Sequence, residues 1–451
     1  MSSSSYTPPA PGSKIIIVGA GALGLSTAFA LSERKEEAYN IHVFDRDQIP
    51  VPDAASTDIN KSVRMEYGND TLYLNLMLEA LPMWHEWNRE RAEHGESPVF
   101  HNTGVLMLCR NGQLSKYEQQ SMQRIREVGH GHAIEELTTP ESILAKFPHF
   151  KDAVSNGYNI ACYNKEGGWC HSSEAIKHVY NKCLRNGVHF TLGKDKGCFE
   201  HLHTDENGAA IGIVTKDGAV HQGDCVVMAT GPWTAGLIGL QDKLRATGQV
   251  VIQFKPPTSS IFHTPGQPVW SADVSNTGYY GFPINPDGKI KIARHAAGYL
   301  NPRTDDKVST PRTQTSNPTD TIPIKALRDF REFLANFFPE TSSMDVSYAR
   351  VCWYSDTADG HFLIAPHPKI ENLVIASGDS GHLMKFLPNI GIKVAEIIEG
   401  KENEYTKVWG WREAPSNQSD GSRDSASVTV PILEDPSNDD TRMATLEELK
   451  A

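Results

Sequence analysis

Residues 14–45 read KIIIVGAGALGLSTAFALSERKEEAYNIHVFD, the clearest structural signal in the chain. Four β-branched residues, Ile15 to Val18, run into Gly19, Gly21 and Gly24, and a helical apolar pattern follows to Leu31. This pattern predicts strand, tight turn and helix. A second strand, Ile41 to Phe44, ends on Asp45, close to the offset of roughly twenty residues at which an acid accepts hydrogen bonds from an adenosine ribose. The three glycines do different things. Gly19 makes the turn, Gly21 lets the backbone approach a pyrophosphate, and Gly24 lets the helix lie close on the sheet. The helix N-terminus complements the phosphate charge. The fingerprint predicts a dinucleotide and leaves NAD, NADP and FAD open.

The chain has 451 residues, too many for one ordinary core, so two domains are expected. Its 43 basic and 55 acidic residues give a net charge of −12, which argues against nucleic acid or an anionic membrane surface as partner. A small molecule is the better expectation. No apolar run approaches the roughly 18 residues of a membrane span, and MSSSSYTPPAPGS lacks the apolar core of a secretory signal. The terminal Leu-Lys-Ala is not an SKL-type address, so the expected location is the cytoplasm. Seven cysteines without CxxC or Cys/His ligand spacing predict neither a disulfide framework nor a metal site.

Beyond Asp45, a polar loop carries two cations, Lys61 and Arg64, which read either as solvated surface or as ligand-facing. Leu72 to Trp87 has helical spacing, with Pro82 expected to kink or end it. Ser173 to Arg185 reads as an amphipathic helix. Val188 to Leu192, Ala209 to Thr215 and Ala219 to His221 read as a β-meander with turns at Asn207-Gly208 and Asp217-Gly218. It leads to a buried strand, Cys225 to Met228, ending at Gly231. From Gln249 to Ala297 alternation predicts an antiparallel sheet, in which Lys289, Lys291, Ala293 and His295 share one face, toward solvent or a cofactor. A packing helix follows from Ile324 to Phe337. Leu373 to Ser377 reads as a buried strand, and Gly378-Asp379-Ser380-Gly381-His382-Leu383-Met384-Lys385 as a glycine loop opening a helix to Glu399. Pro415 to Ala451 is Ser-, Asp- and Asn-rich and reads as a loosely draped tail, with helix-favouring composition only from Met443 to Lys450.

Several runs together resemble the monomeric sarcosine oxidase and fructosyl amino acid oxidase (amadoriase) family. They are Gly19-Ala20-Gly21, Ser56 to Arg64, Phe100 to Gly104, Gly167-Gly168-Trp169, Asn317 to Pro323, Cys352-Trp353 and Ser377 to Gly391. The resemblance runs to about Arg412. It implies a mixed α/β (α+β) fold: a glutathione-reductase-type, Rossmann-like FAD-binding domain with an interleaved substrate domain on an antiparallel sheet. The expected division is 1–88, 160–235 and 345–412 for FAD, 89–159 and 236–344 for substrate, and 413–451 as tail.

The resemblance further implies FAD attached through the Cys352 thioether to the flavin 8α-methyl. Expected cofactor contacts are Gly19, Gly21, Gly24, Asp45, Arg46, Ser56, Thr57, Lys61, Gly231, Gly378, Gly381, His382 and Lys385. Lys291 matches the lysine that promotes reaction with O₂, Lys385 the one near the substrate carboxylate, and Lys61 the basic residue over the flavin's re face; Arg64 matches a family arginine. Four residues after Lys291 the amadoriase pattern has an acid, whereas His295 agrees with sarcosine oxidases, as does Tyr354. Gly410 stands where amadoriases carry an arginine, which leaves Arg412 for an anionic contact. The implied activity is that of an oxidase, expected as a monomer, that takes a secondary amine and O₂ and yields H₂O₂. Its substrate is an N-methyl or N-alkyl amino acid, a fructosyl amino acid, or a natural-product amine whose imine cyclises. A nicotinamide-dependent dehydrogenase and a flavin-binding sensor without turnover are the readings from other classes.

Overall fold

The computed structural model describes residues 6–413 and 429–451. The opening stretch forms β1 (Lys14–Val18), α1 (Ala22–Ser32) and β2 (Asn40–Asp45). They sit in a six-stranded sheet in the order Leu363–Pro366, Leu373–Ser377, Cys225–Met228, β1, β2, His189–Leu192, parallel except for the first strand. The unbroken apolar run of β1 follows from burial on both faces. Ile15 and Ile17 pack with α1 and the helix Ile390–Ile398, while Ile16 and Val18 face Phe199, Ala210 and Ile213 of a three-stranded antiparallel sheet.

That small sheet is Phe199–Thr204, Ala210–Thr215 and Val220–Gln222, which corrects the expected meander. His189–Leu192 instead continues the large sheet, pairing in parallel with β2 from His42↔His189. A strand that returns after a helix, here Ser172–Arg185, lies parallel to its neighbour. Phe199–Thr204 carries Glu200, His201 and His203 among its apolar residues, so its composition gives little strand signal.

The second sheet has eight strands in the order Tyr348–Asp356, Arg245–Phe254, Ile290–Arg294, Tyr279–Gly281, Val269–Ala272, Val105–Cys109, Ile160–Asn164, Ile134–Leu137. Helix Ile324–Phe337 covers one face, with Leu327, Phe330, Leu334 and Phe337 against Ile252, Trp270 and Ile292. Sheet membership crosses the expected domain limits: Tyr348–Asp356 pairs with Arg245–Phe254 along its whole length, and Ile160–Asn164 is an inner strand here.

Three further expectations are corrected. Helix α2 (Thr71–Glu93) runs through Pro82, which lies on its exposed side, where water can take the carbonyl left without a donor. The loop from Gly378 does not open directly into a helix; a 3-10 turn, Met384–Phe386, intervenes, Pro388 interrupts, and the helix is Ile390–Ile398. The tail is not loosely draped where it is described, and 414–428 lie outside the described residues. Residues 429–451 dock on the eight-stranded half through bridges Leu300↔Ile432 and Pro323↔Met443 and the bond from Val346 N–H to Leu449 O at 2.8 Å. Leu433, Ala444 and Leu449 are buried, and 446–449 form turns rather than a helix. Three well-spaced apolar residues create no periodic pattern, so only the docked structure reveals them. Among the described residues, no helix is long and apolar enough to cross a membrane.

Candidate active site

The turn between β1 and α1 opens on a cavity of about 340 Å³ that also takes in Asp45, Arg46, Ser56, Gly231 and Trp233. Two glycines separate structural need from ligand need. A Cβ on Gly24 would fall 1.8 Å from Gly19 O, so helix and strand could not approach. A Cβ on Gly21 would meet only Ser56 Oγ at 3.5 Å, so the space it would fill belongs to the cavity and not to the protein. Asp45 Oδ2 accepts from Ala20 N–H at 2.7 Å, which ties the end of β2 to the glycine turn; burial pushes its carboxyl up. Arg46 pairs with Asp53 and lies over the Trp233 ring at 4.5 Å. A glycine-walled cavity at a helix N-terminus, with an acid at the end of the second strand, fits the adenosine and pyrophosphate of a dinucleotide.

A second cavity of about 260 Å³ adjoins the first, and Lys61, Tyr354, Gly381 and Met384 line both. Beside this junction lies a buried charge cluster. Asp58 Oδ2 accepts from Lys291 Nζ at 2.9 Å and lies 3.4 Å from both Lys61 Nζ and Arg350 Nη2. Burial opposes the Asp58 charge, but Lys291, Arg350 and Lys61 hold its carboxyl far below the usual range. Burial likewise pushes the Lys291 ammonium down, to about 8, against the pull of Asp58. Lys61 and Arg350 are held above their usual values, because their anionic neighbours outweigh burial.

Cys352 is 4 % exposed, with Lys61 Nζ at 3.8 Å and Arg350 Nη2 at 4.0 Å from its sulfur. It packs with Ala55, which lines the first cavity, and Tyr280, which lines the second. The strands explain the convergence: Gln249 pairs with Cys352, Gln253 with Lys291, and Thr247 with Tyr354, which puts these side chains on one face of the sheet. β3 (Lys61–Val63), paired with Gly168–Cys170, brings Lys61 in from the other half.

Lys385 Nζ donates to Tyr67 OH at 2.9 Å and to His382 O at 2.7 Å, and His382 Nδ1 meets Tyr67 OH at 3.1 Å. His295 lines the second cavity, 6.0 Å from Tyr354 between ring centroids. Arg64 also lines it, donates to Tyr117 OH at 2.9 Å and lies 5.2 Å over the Tyr67 ring. Gly381 lines both cavities and sits against Tyr354, where a Cβ would fall 2.2 Å from Cε2. A Cβ on Gly378 would fall 2.8 Å from Leu363 N, and the Thr57 carbonyl accepts from Arg350 Nη2 at 2.8 Å. Arg412 is engaged by Asp359 at 2.5 and 2.6 Å, so it is not free for a substrate anion.

Reasoning from sequence misses Asp58, Arg350 and Tyr67. The one signal for them is an acid three residues before Lys61, in a segment that can face a ligand. His130 and His132, a His-x-His pair that the sequence reading passes over, contact Glu166 at 2.7 and 2.9 Å.

The family model described as FAD dependent oxidoreductase (DAO) matches residues 14–397. L-saccharopine oxidase of Schizosaccharomyces pombe is 30% identical over 416 residues, 88% of this chain and 93% of that protein. Monomeric sarcosine oxidase of Bacillus sp. (strain B-0618) is 26% identical, over 86% of this chain and 92% of that one. The solved fructosyl peptide oxidase from E. terrenum superposes with a TM-score of 0.79 at 30% identity, covering 90% and 94% of the two chains. With cavity, fingerprint and relatives in agreement, the cofactor is FAD and the chain belongs to the FAD dependent oxidoreductase family, among the sarcosine oxidase and amadoriase group of amine oxidases.

Proposed function

We propose that the protein oxidises the C–N bond of a secondary amine in an N-methyl or N-alkyl amino acid and reduces O₂ to H₂O₂. The observation that carries this reading is the junction of the two cavities, which Lys61 and Tyr354 line and beside which Cys352 and Lys291 are buried. FAD, when bound, supplies the hydride acceptor and the route for electrons to O₂. The chain's own groups then divide the work. Lys385 and Arg64, both against the Tyr67 ring, offer charge to a substrate carboxylate and so orient the adjacent C–H bond. Tyr354 and His295 close the wall beside it and exclude water. Lys291, fixed by Asp58, provides a buried cation where negative charge develops during oxygen reduction. Lys61 and Arg350 face the Cys352 sulfur, the atom that would bond to a flavin methyl.

A fructosyl amino acid is the second reading, supported by the likeness to fructosyl peptide oxidases. His295 and Tyr354 favour the smaller N-alkyl substrate. A peroxide-release screen of N-methyl, cyclic and fructosyl amino acids separates them, with anaerobic bleaching of the yellow enzyme as the second readout. Cys352→Ala is expected to release the flavin on acid precipitation, and colour that stays with the polypeptide would sink the linkage. Lys291→Met is expected to slow reoxidation about 100-fold while affecting flavin reduction much less. Equal slowing of both half-reactions would remove Lys291 from its assigned role. A colourless purified protein would point to the nicotinamide reading.

A further inference from the structure

Away from the two cavities, one group of side chains gathers metal-ligating atoms. His130 Nδ1 lies 2.7 Å from Glu166 Oε2, and His132 Nε2 lies 2.9 Å from Glu166 Oε1. One ligand atom from each residue falls within 4.8 Å of the other two, which no other trio of His, Cys, Asp or Glu achieves among the described residues. The backbone sets this up. Strand Ile134–Leu137 pairs antiparallel with Ile160–Asn164 from Ile134↔Asn164, and Lys165 N–H donates to Ala133 O at 2.9 Å. Carried one step further, the same register puts His132 opposite Glu166, where side chains on one face meet. Gly129, at φ 90°, takes the left-handed conformation that favours glycine and turns the chain just before His130, and the 3-10 turn Gly131–Ala133 follows. That turn brings His130 onto the same carboxylate.

Glu166 is held from behind: its N–H donates to Asn164 Oδ1 at 3.0 Å, and Asn164 is fully buried. The cations close by in sequence have other partners, Lys165 pairing with Glu135 at 3.2 Å and Arg126 with Glu136. The Glu166 carboxylate is thus committed to two imidazoles. As partly exposed hydrogen bonds these contacts contribute little to stability. Two imidazole nitrogens and a carboxylate oxygen are, however, a donor set that suits Zn²⁺ and its transition-metal neighbours, whereas Mg²⁺ and Ca²⁺ take oxygen. Bonds of about 2.0–2.2 Å set the donors of a tetrahedral ion about 3.3–3.5 Å apart. The spacings here, from 2.7 Å to at most 4.8 Å, bracket that value, so small rotations of the exposed rings suffice.

We propose that His130, His132 and Glu166 form a binding site for a divalent transition cation of the zinc class, with water completing the shell. The ion clips the turn at 130–133 to the segment that follows Ile160–Asn164, and so closes the end of that strand pair. The site stands apart from the flavin junction, and no step of the oxidation passes through it. It departs from the expectation of no metal site because the His-x-His pair lies 34 residues from its third ligand, and only strand pairing closes that gap.

The test uses the full-length, flavin-loaded protein, stripped of metal with EDTA and dialysed against Zn²⁺. The expected result is one Zn²⁺ retained per chain at about 10 µM free ion, undisturbed by about a hundredfold excess of Mg²⁺. The His132 side chain is 69 % exposed, so His132→Ala leaves the fold intact. That variant and Glu166→Gln are each expected to weaken binding at least about tenfold, since loss of even an outer-shell partner costs that much. Cu²⁺ in place of Zn²⁺ gives a second readout: electron paramagnetic resonance of the oxidised protein is expected to show coupling to two nitrogens, and to one in His132→Ala. The proposal is overturned by the absence of stoichiometric Zn²⁺, by displacement with Mg²⁺, or by affinity that neither variant changes. A copper spectrum without nitrogen coupling overturns it equally.

Discussion

Asp58 is 7 % exposed and is the partner shared by three cations that come from distant parts of the chain. Replacing it with asparagine keeps the shape and strands Lys291, Arg350 and Lys61 beside one another, at an expected cost of about 3–5 kcal/mol in unfolding free energy, read from a denaturant midpoint. The Lys291 ammonium also sets a pH dependence. Its pKa lies near 8, below the ordinary lysine value, so the cation is present at neutral pH and lost on the alkaline side. Oxygen reactivity is therefore expected to fall as pH rises through about 8, while anaerobic reduction need not follow the same curve. Asp58→Asn removes the pull that opposes burial and moves that midpoint to lower pH. Stopped-flow reoxidation across the range checks both statements; a flat oxygen profile would rule out a titrating Lys291. The lysines are readable from the sequence because each sits in a recognisable run. Asp58 is not, because the bond that gives it meaning joins it to a residue 233 positions away.

The glycine turn makes a sharper distinction at the level of the element. Gly24→Ala places a methyl 1.8 Å from Gly19 O and separates α1 from β1, so the expected result is a poorly folded, flavin-free protein. Gly21→Ala meets only Ser56 Oγ at 3.5 Å, so a folded protein with much weaker FAD retention is expected. Circular dichroism and flavin content measured on both variants check the pair, and similar behaviour of the two would refute the division. β1, α1 and β2 are legible because their signals are local: an apolar run, three glycines and an acid within one βαβ unit. The strand Phe199–Thr204 and the 3-10 turn Met384–Phe386 are not, because polar composition hides the first and Pro388, not the glycine loop, dictates the second.

At the scale of the whole molecule, two sheets share one site, and each takes strands from widely separated parts of the chain. The alternation of Gln249 to Ala297 is readable, yet the strand that completes the sheet, Tyr348–Asp356, sits beyond the helix Ile324–Phe337 and reveals its partner only through pairing. The same holds for the C-terminal strap. Leu449 is 6 % exposed in the core under helix Ile324–Phe337, and its carbonyl accepts from Val346 N–H at 2.8 Å and from Arg331 Nη2 at 3.0 Å. Leu449→Ala leaves those backbone bonds in place and removes only the buried side chain. The expected loss is about 2–4 kcal/mol, seen as a lower denaturant midpoint with an unchanged slope. Because Cys352 and Lys291 stand on the face of the sheet opposite the one that packs on helix Ile324–Phe337, flavin content at room temperature is expected to stay at the native level. An unchanged midpoint would mean that the strap contributes nothing to stability. A drop in flavin content without a shift in midpoint would instead tie it to the site through Leu433, which packs with Trp353, the neighbour of Cys352.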